Sequence, residues 1–291
     1  MHRYLRAIGF GGIGSRAEWQ KYADELRKNA DWNYRTSEPD GSVFVCSAGD
    51  VSPGIGVMFC GEEDASGEYH LSYYFPYCLS DTTVGPEDCM INGRVDTDAF
   101  SGMCDDPRLG VSLIFYLQNP WEYREYEKTL AGANFMTNIH LAGLALSGQI
   151  LLGTHKEAGP DNVRPSDYKR RSSLMAEARK GNQEAIDSLT MEDIDVFTEV
   201  NNRIRTEDLY SIVETSFIPF GSESDNYTVL GEILEVNRLT NCLTGQKLVK
   251  LTLSCNEMSF DVLLREEDLM GEPAVGRRFK GNVWMQGTVA F

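Results

Sequence analysis

Residues Gly9–Trp19 read GFGGIGSRAEW and follow the run Arg3-Tyr-Leu-Arg-Ala-Ile8, giving G-x-G-x-x-G between a short apolar stretch and a helix. Read as a dinucleotide-binding turn, this stretch would fix the fold as a parallel α/β sheet. Such a turn needs its helix to begin within the glycines, so that amides and dipole meet the pyrophosphate. Here Ser15-Arg-Ala-Glu18 has the spacing of a capping box, which starts the helix only after Gly14 and puts a carboxylate where phosphate would sit. The helix is expected over residues 16–29, with Trp19, Tyr22, Ala23 and Leu26 at core spacing. A Rossmann unit then requires a second strand ending in an acid, but Ala30-Asp-Trp-Asn-Tyr-Arg-Thr-Ser-Glu-Pro-Asp-Gly41 is rich in turn formers. The glycines are read as shaping a tight loop, and no cofactor is expected.

Beyond this stretch, strand-like runs occur at 42–46, 54–60, 68–77, 111–117 and 144–152, the first three separated by turns. That pattern favours hairpins and a mainly antiparallel sheet over alternating βα units. Residues 80–110 are rich in Asp, Gly and Pro without clear period, and are expected to form a long loop.

From about Pro165 to Val213 the period turns helical. Ser166 and Thr190-Met-Glu-Asp193 are read as helix starts, and Gly181-Asn182 as a stop. The C-terminal part alternates with period two. Val249, Leu251, Leu253 and Cys255 share one face, as do Met258, Phe260, Val262 and Leu264, and then Phe279, Val283, Met285 and Val289. Thr244-Gly245 and Asn256-Glu257 supply turns, and Gly281 and Gly287 let the last strand bend. The expected fold class is α+β. It comprises an acidic α+β domain at 1–164, a helical connector at 165–221, and a small antiparallel OB-like β-barrel at 222–291.

The chain has 291 residues and a net charge of −17, which disfavours nucleic acid and anionic membrane as partners. Residues 226–291 carry seven Lys/Arg and eight Asp/Glu, so the negative charge resides upstream. There is neither a membrane-length apolar run nor a secretory leader pattern. Seven cysteines without a C-x-x-C spacing indicate reduced thiols, no zinc site and a cytoplasmic protein.

Among candidate site residues, Trp284 stands on the otherwise polar face of the last strand with Lys280 and Gln286, and Arg277 and Arg278 precede it. Aromatic and basic groups on a small barrel can hold single-stranded nucleic acid. The competing reading packs Trp284 against the rest of the chain and pairs the basic groups with Glu266, Glu267 and Asp268. Glu87, Asp88, Asp96, Asp98, Asp105 and Asp106 could hold a divalent cation, but the spacing lacks the EF-hand pattern. A solvated acidic face is the simpler reading, and no metal is expected. His2, His70, His140 and His155 have no metal-helix spacing and are read as packing or surface groups. Neither a nucleophile elbow nor a P-loop occurs.

The segments MHRYLRAIGF (1–10), RTEDLYSIVETSFIPFGSESDNYTVLGEI (205–233) and DLMGEPAVGRRFKGNVWMQG (268–287) together resemble a family of uncharacterised proteins of this length from clostridia-like Gram-positive bacteria. The resemblance implies a cytoplasmic bacterial protein and carries no catalytic residues. The leading expectation is a non-enzymatic protein that binds another protein or a second copy of itself. An enzyme with a site at a domain interface and an oligonucleotide-binding barrel stay open as alternatives.

Overall fold

The computed structural model describes residues 1–30, 32–38, 41–95, 97–106, 111–128, 135–153, 170, 173–175, 177–178, 181–191 and 213–291. Two compact units result. One joins Met1–Leu152 to Thr215–Phe291, and the other is Gly153–Glu214.

In the larger unit, Arg3–Arg6 form a 3-10 turn, so no strand leads into the glycines. Helix α1 spans Arg16–Lys28. The Ser15 Oγ accepts from the Glu18 amide at 3.1 Å, and Glu18 Oε2 accepts from the Gly14 amide at 3.1 Å. The carboxylate reaches one residue further back than a capping box requires, and it occupies the anion position itself. Strands β1 (Trp32–Ser37), β2 (Val43–Ser52), β3 (Ile55–Glu63) and β4 (Tyr69–Cys78) form an antiparallel sheet in that order. Strand β1 lies in the stretch read as turns. It sits at the sheet edge with one buried residue, Thr36, so it lacks the apolar run that marks a core strand.

The second sheet contains β5 (Thr83–Gly93), β6 (Phe100–Asp106), β7 (Val111–Leu117) and, after helix α2 (Pro120–Glu127), β8 (Phe135–Leu151). From the other end of the chain it takes β9 (Ser216–Pro219), β10 (Asn226–Thr240), β11 (Lys247–Cys255) and β12 (Met258–Arg265). After a 3-10 turn at Glu266–Asp268 come β13 (Leu269–Met270) and β14 (Arg278–Val289).

The pairing pattern is the same twice. Three antiparallel strands are followed by a helical turn and a long strand, β8 in the first half and β14 in the second. Each long strand pairs antiparallel with the first strand of its own half, β8 with β5 and β14 with β10. Each then pairs parallel with the third strand of the other half, β8 with β12 and β14 with β7. The long strands also pair with each other, from Ile139↔Val289 to Leu151↔Arg278. Two closed circuits of pairings therefore share β8 and β14: β5–β6–β7–β14–β8 and β10–β11–β12–β8–β14.

This corrects the expected division. Residues 222–291 do not pair only among themselves, because β8 at 135–151 completes their circuit. Ser216–Pro219, placed in the connector, is a strand beside β10. The segment 80–110 is largely the β5–β6 hairpin rather than a loop. Cys89, Ile91 and Cys104 turn inward while Asp and Gly elsewhere dilute the period. The class that stands is β-dominated, with few helices.

In the smaller unit, residues 183–191 are helical. Asn182 caps this helix, its Oδ1 accepting from the Glu184 amide at 3.1 Å. Thr190, expected to start a helix, lies inside this one and donates to the Ile186 carbonyl at 2.8 Å. Ser166 and residues 192–212 lie outside the described residues.

The apolar faces read from the sequence fill one core, with Val249, Leu251, Leu253, Phe260, Val262, Phe279, Val283 and Met285 all buried there. Gly148 on β8 and Gly281 on β14 pair in register beneath the ring of Phe279, where a Cβ on Gly148 would lie 2.2 Å from that ring. A second core lies between the outer faces of the shared strands and the layer of Tyr4, Leu5, Ile8, Phe10, α1 and the four-stranded sheet. Ala142, Leu144, Leu263 and Trp284 supply its floor.

Cys46 and Cys60 face each other across β2 and β3 with Cα atoms 4.3 Å apart and are disulfide-bonded, against the expectation of seven reduced thiols. Directly opposed antiparallel positions that do not exchange backbone hydrogen bonds bring Cα atoms to about this separation. Of the five free cysteines only Cys242 is exposed. Burial pushes the thiols of Cys78, Cys89 and Cys255 up to about 12. In the folded protein one thiol, Cys242, should react rapidly with Ellman's reagent and the others only on unfolding. Several fast thiols would contradict this packing.

Candidate functional site

Trp284 is 4% exposed. Tyr4 stacks on it at 5.1 Å, His2 lies at 4.8 Å, and Tyr116 meets it edge-on at 5.0 Å. Its Nε1 donates to Asp225 Oδ2 at 3.0 Å, and Arg94 Nη1 bonds the same oxygen at 2.8 Å. Gln286 is fully buried: its Nε2 donates to the Pro76 carbonyl at 2.7 Å, and its Oε1 accepts from Gln118 at 2.9 Å. Arg278 is also buried and donates to the Leu152 carbonyl, while Arg277 donates to the Glu272 carbonyl. Lys280 is half-buried. The N-terminal layer covers Trp284 and Gln286, as the packed reading of Trp284 has it, and their side chains are not exposed on this face. The acidic neighbours pair elsewhere, Glu266 with Arg238, Glu267 with Arg265, and Asp268 with Arg6 and Arg265.

The glycine turn docks onto the β10–β11 loop and Arg265. Asn241 Nδ2 donates to the Ile8 carbonyl and Thr244 Oγ1 to the Gly9 carbonyl, each at 2.8 Å. Gly9 has φ +96°, and a Cβ there would lie 2.9 Å from Asn241 Cβ. On Gly11 a Cβ would lie 2.4 Å from Arg265 Nη1. Gly9 and Gly11 thus pack closely against the chain, whereas a Cβ on Gly14 would have nothing within 4 Å.

Next to this joint, Asp268 Oδ2 accepts from Arg6 Nε at 3.0 Å and from Arg265 Nε at 2.7 Å. Burial acts to raise the Asp268 carboxyl, but the bonds from Arg6 and Arg265 outweigh it and hold the group below the ordinary carboxylate range. A carboxyl lowered by folding stabilises the fold above its unfolded value, about 3.9, and that contribution fades as pH falls through the folded value. Comparing Asp268→Asn with the native protein, the stability difference should be constant near neutral pH and shrink below about pH 4. A difference that grows on acidification would contradict the assignment.

A cleft of about 370 Å³ lies beside the joint, lined by Gln246, Lys247, Glu266 and Glu267. Both carboxylates are engaged, Glu266 by Arg238 and Glu267 by Arg265. Asp88, Asp98 and Asp105 are distributed over β5, the turn and β6. Asp96 and the side chains of Glu87 and Asp106 lie outside the described residues. The one trio of metal-type ligands among the described residues is Asp64, Glu68 and His70, all exposed, on the β3–β4 turn. His140 bonds the Thr82 carbonyl at 3.1 Å, and His155 lies outside the described residues.

An aromatic run lies on β1 and α2, with Trp32 exposed and Tyr34 and Trp121 half-buried against the second core. Trp32 is 46% exposed and meets Tyr34 at 6.2 Å, and Tyr34 stacks on Trp121 at 3.9 Å with rings 8° apart. Sequence reasoning missed it. The signal was the alternation Trp32-Asn-Tyr34, read as part of a turn-rich stretch because no apolar residue flanks it.

The family described as "Domain of unknown function, E. rectale Gene description (DUF3881)" matches residues 5–287. The chain belongs to the DUF3881 family. This agrees with the resemblance to uncharacterised proteins of clostridia-like bacteria and assigns no role to any residue of the DUF3881 chain. No curated protein and no solved structure matches it. Among its described residues no helix is long and apolar enough to cross a membrane.

Proposed function

We propose that this protein is a cytoplasmic binding or assembly protein whose partner is another protein or a second copy of itself. The observation that carries the reading is the run Trp32–Tyr34–Trp121 at the edge of a sheet, in which exposed Trp32 extends a pair of half-buried, stacked rings. Aromatic groups at a surface are typical anchors of protein interfaces. The buried or half-buried acids support the same reading. Asp225, Asp261 and Asp268 are each engaged by a cation and serve as joints between elements. We also read the circuit β10–β11–β12–β8–β14 as a small OB-like barrel completed by a strand from the other half, since five strands with Greek-key connections suit that form.

Native mass spectrometry of the protein purified gently from its host tests the proposal. A second polypeptide, or a multiple of the chain mass, is the expected result. A monomer carrying only a small-molecule adduct would overturn it in favour of an enzyme.

A further inference from the structure

We propose that β1 accepts a fifth strand from an extended, basic segment of a partner protein. This rests on the binding reading above and names the surface and the occupant.

Strand β1 ends the order β1–β2–β3–β4 and has no strand on its outer edge among the described residues. Which peptide groups face outward follows from the register. Cys46 and Cys60 have the short Cα separation of a pair that exchanges no backbone hydrogen bonds, so the Cys46 peptide groups point toward its β1 partner, Tyr34. Tyr34 and its alternates Trp32 and Thr36 therefore bond β2. Asn33, Arg35 and Ser37 turn their N–H and C=O groups outward. The Ser37 carbonyl is met by Lys128 Nζ at 2.6 Å, as this alternation requires. Asn33 and Arg35 are exposed, leaving two donors and two acceptors for an incoming strand.

The side chains beside this edge choose the occupant. Trp32, Tyr34 and Trp121 offer ring surface to which a Lys or Arg is attracted. Glu122 follows Trp121 on α2, its Oε2 accepting from Asn119 Nδ2 at 2.7 Å, while the neighbouring Lys128 pairs with Glu125 instead. Burial first, and then the Glu122 charge, raise the Tyr34 hydroxyl above its ordinary value. With −17 charges on the chain, a second copy would bring the same carboxylate and the same net charge, whereas a basic segment is attracted. Main-chain pairing supplies affinity in such strand addition, and alternate side chains supply specificity.

The test titrates the full-length protein with an alternating Lys–Val peptide, followed by calorimetry and tryptophan emission. Controls are the Glu–Val counterpart and a Lys–Val peptide N-methylated at alternate residues. Binding of the Lys–Val peptide is expected, weakened about ten-fold or more by N-methylation. Asn33→Pro removes an outward donor and should weaken it similarly, as should Arg35→Pro, which also removes the Arg35–Glu63 ion pair; Glu122→Gln should weaken it less. Absence of Lys–Val binding, or equal binding of the N-methylated or Glu–Val peptide, overturns the proposal. The N-methylated peptide decides the matter even if a proline variant fails to fold. A native partner retained by a folded Asn33→Pro protein would defeat this edge while leaving the binding reading intact; a monomer with only a small-molecule adduct would defeat the binding reading itself.

Discussion

Replacing Trp284 with alanine should destabilise the protein by about 3–5 kcal/mol, the range for emptying a large aromatic site in a packed core. The residue touches Tyr4, His2 and Tyr116, and its indole N–H is bonded to the buried Asp225. Truncation opens a cavity between the N-terminal turn and the shared strands and leaves Asp225 with one fewer donor. Urea unfolding of the variant against the native protein measures the loss. A cost within about 0.5 kcal/mol, typical of an exposed site, would show that Trp284 faces solvent, as the nucleic-acid reading required.

The second large effect is expected at Arg265. This side chain is 6% exposed and bonds Asp268, Gln246 and Glu267 while filling the space above Gly11. Breaking a buried pair by removing one partner costs about 3–5 kcal/mol. Arg265→Leu should fall toward the lower end of that range, because Arg6 remains on Asp268. The same substitution should loosen the glycine turn, visible as faster amide exchange over residues 8–14. If the stability falls but exchange in the turn is unchanged, the turn is not held by Arg265.

The alternation in β11, β12 and β14 named the faces that fill the first core, because successive side chains point to opposite sides of a strand. The opposite faces are covered as well, with Leu248, Leu263 and Trp284 in the second core, and no period shows that. Ser15 was legible as a cap because its partner, Glu18, lies only three residues away. The strand exchange was not. Nothing within 222–291 says that its circuit is closed by residues 135–151, since register between distant strands leaves no local pattern. Polar residues at covered positions misled in the same way. Gln286 reads as solvent-facing, yet its bonds to Pro76 and Gln118 satisfy it in the interior. The β5–β6 hairpin and β1 were lost among Asp, Gly and Asn, and with β1 went the aromatic edge. The family match leaves these residues without assigned roles, so the site rests on their geometry.

The central structural claim is that the two halves are completed by exchanged long strands, and expressing residues 222–291 alone tests it most directly. Without β8 this fragment should show neither a dispersed amide spectrum nor a cooperative melt, and both should appear when a fragment of residues 1–152 is added. A fragment 222–291 that folds and melts cooperatively by itself would contradict the exchange and restore a self-contained barrel domain.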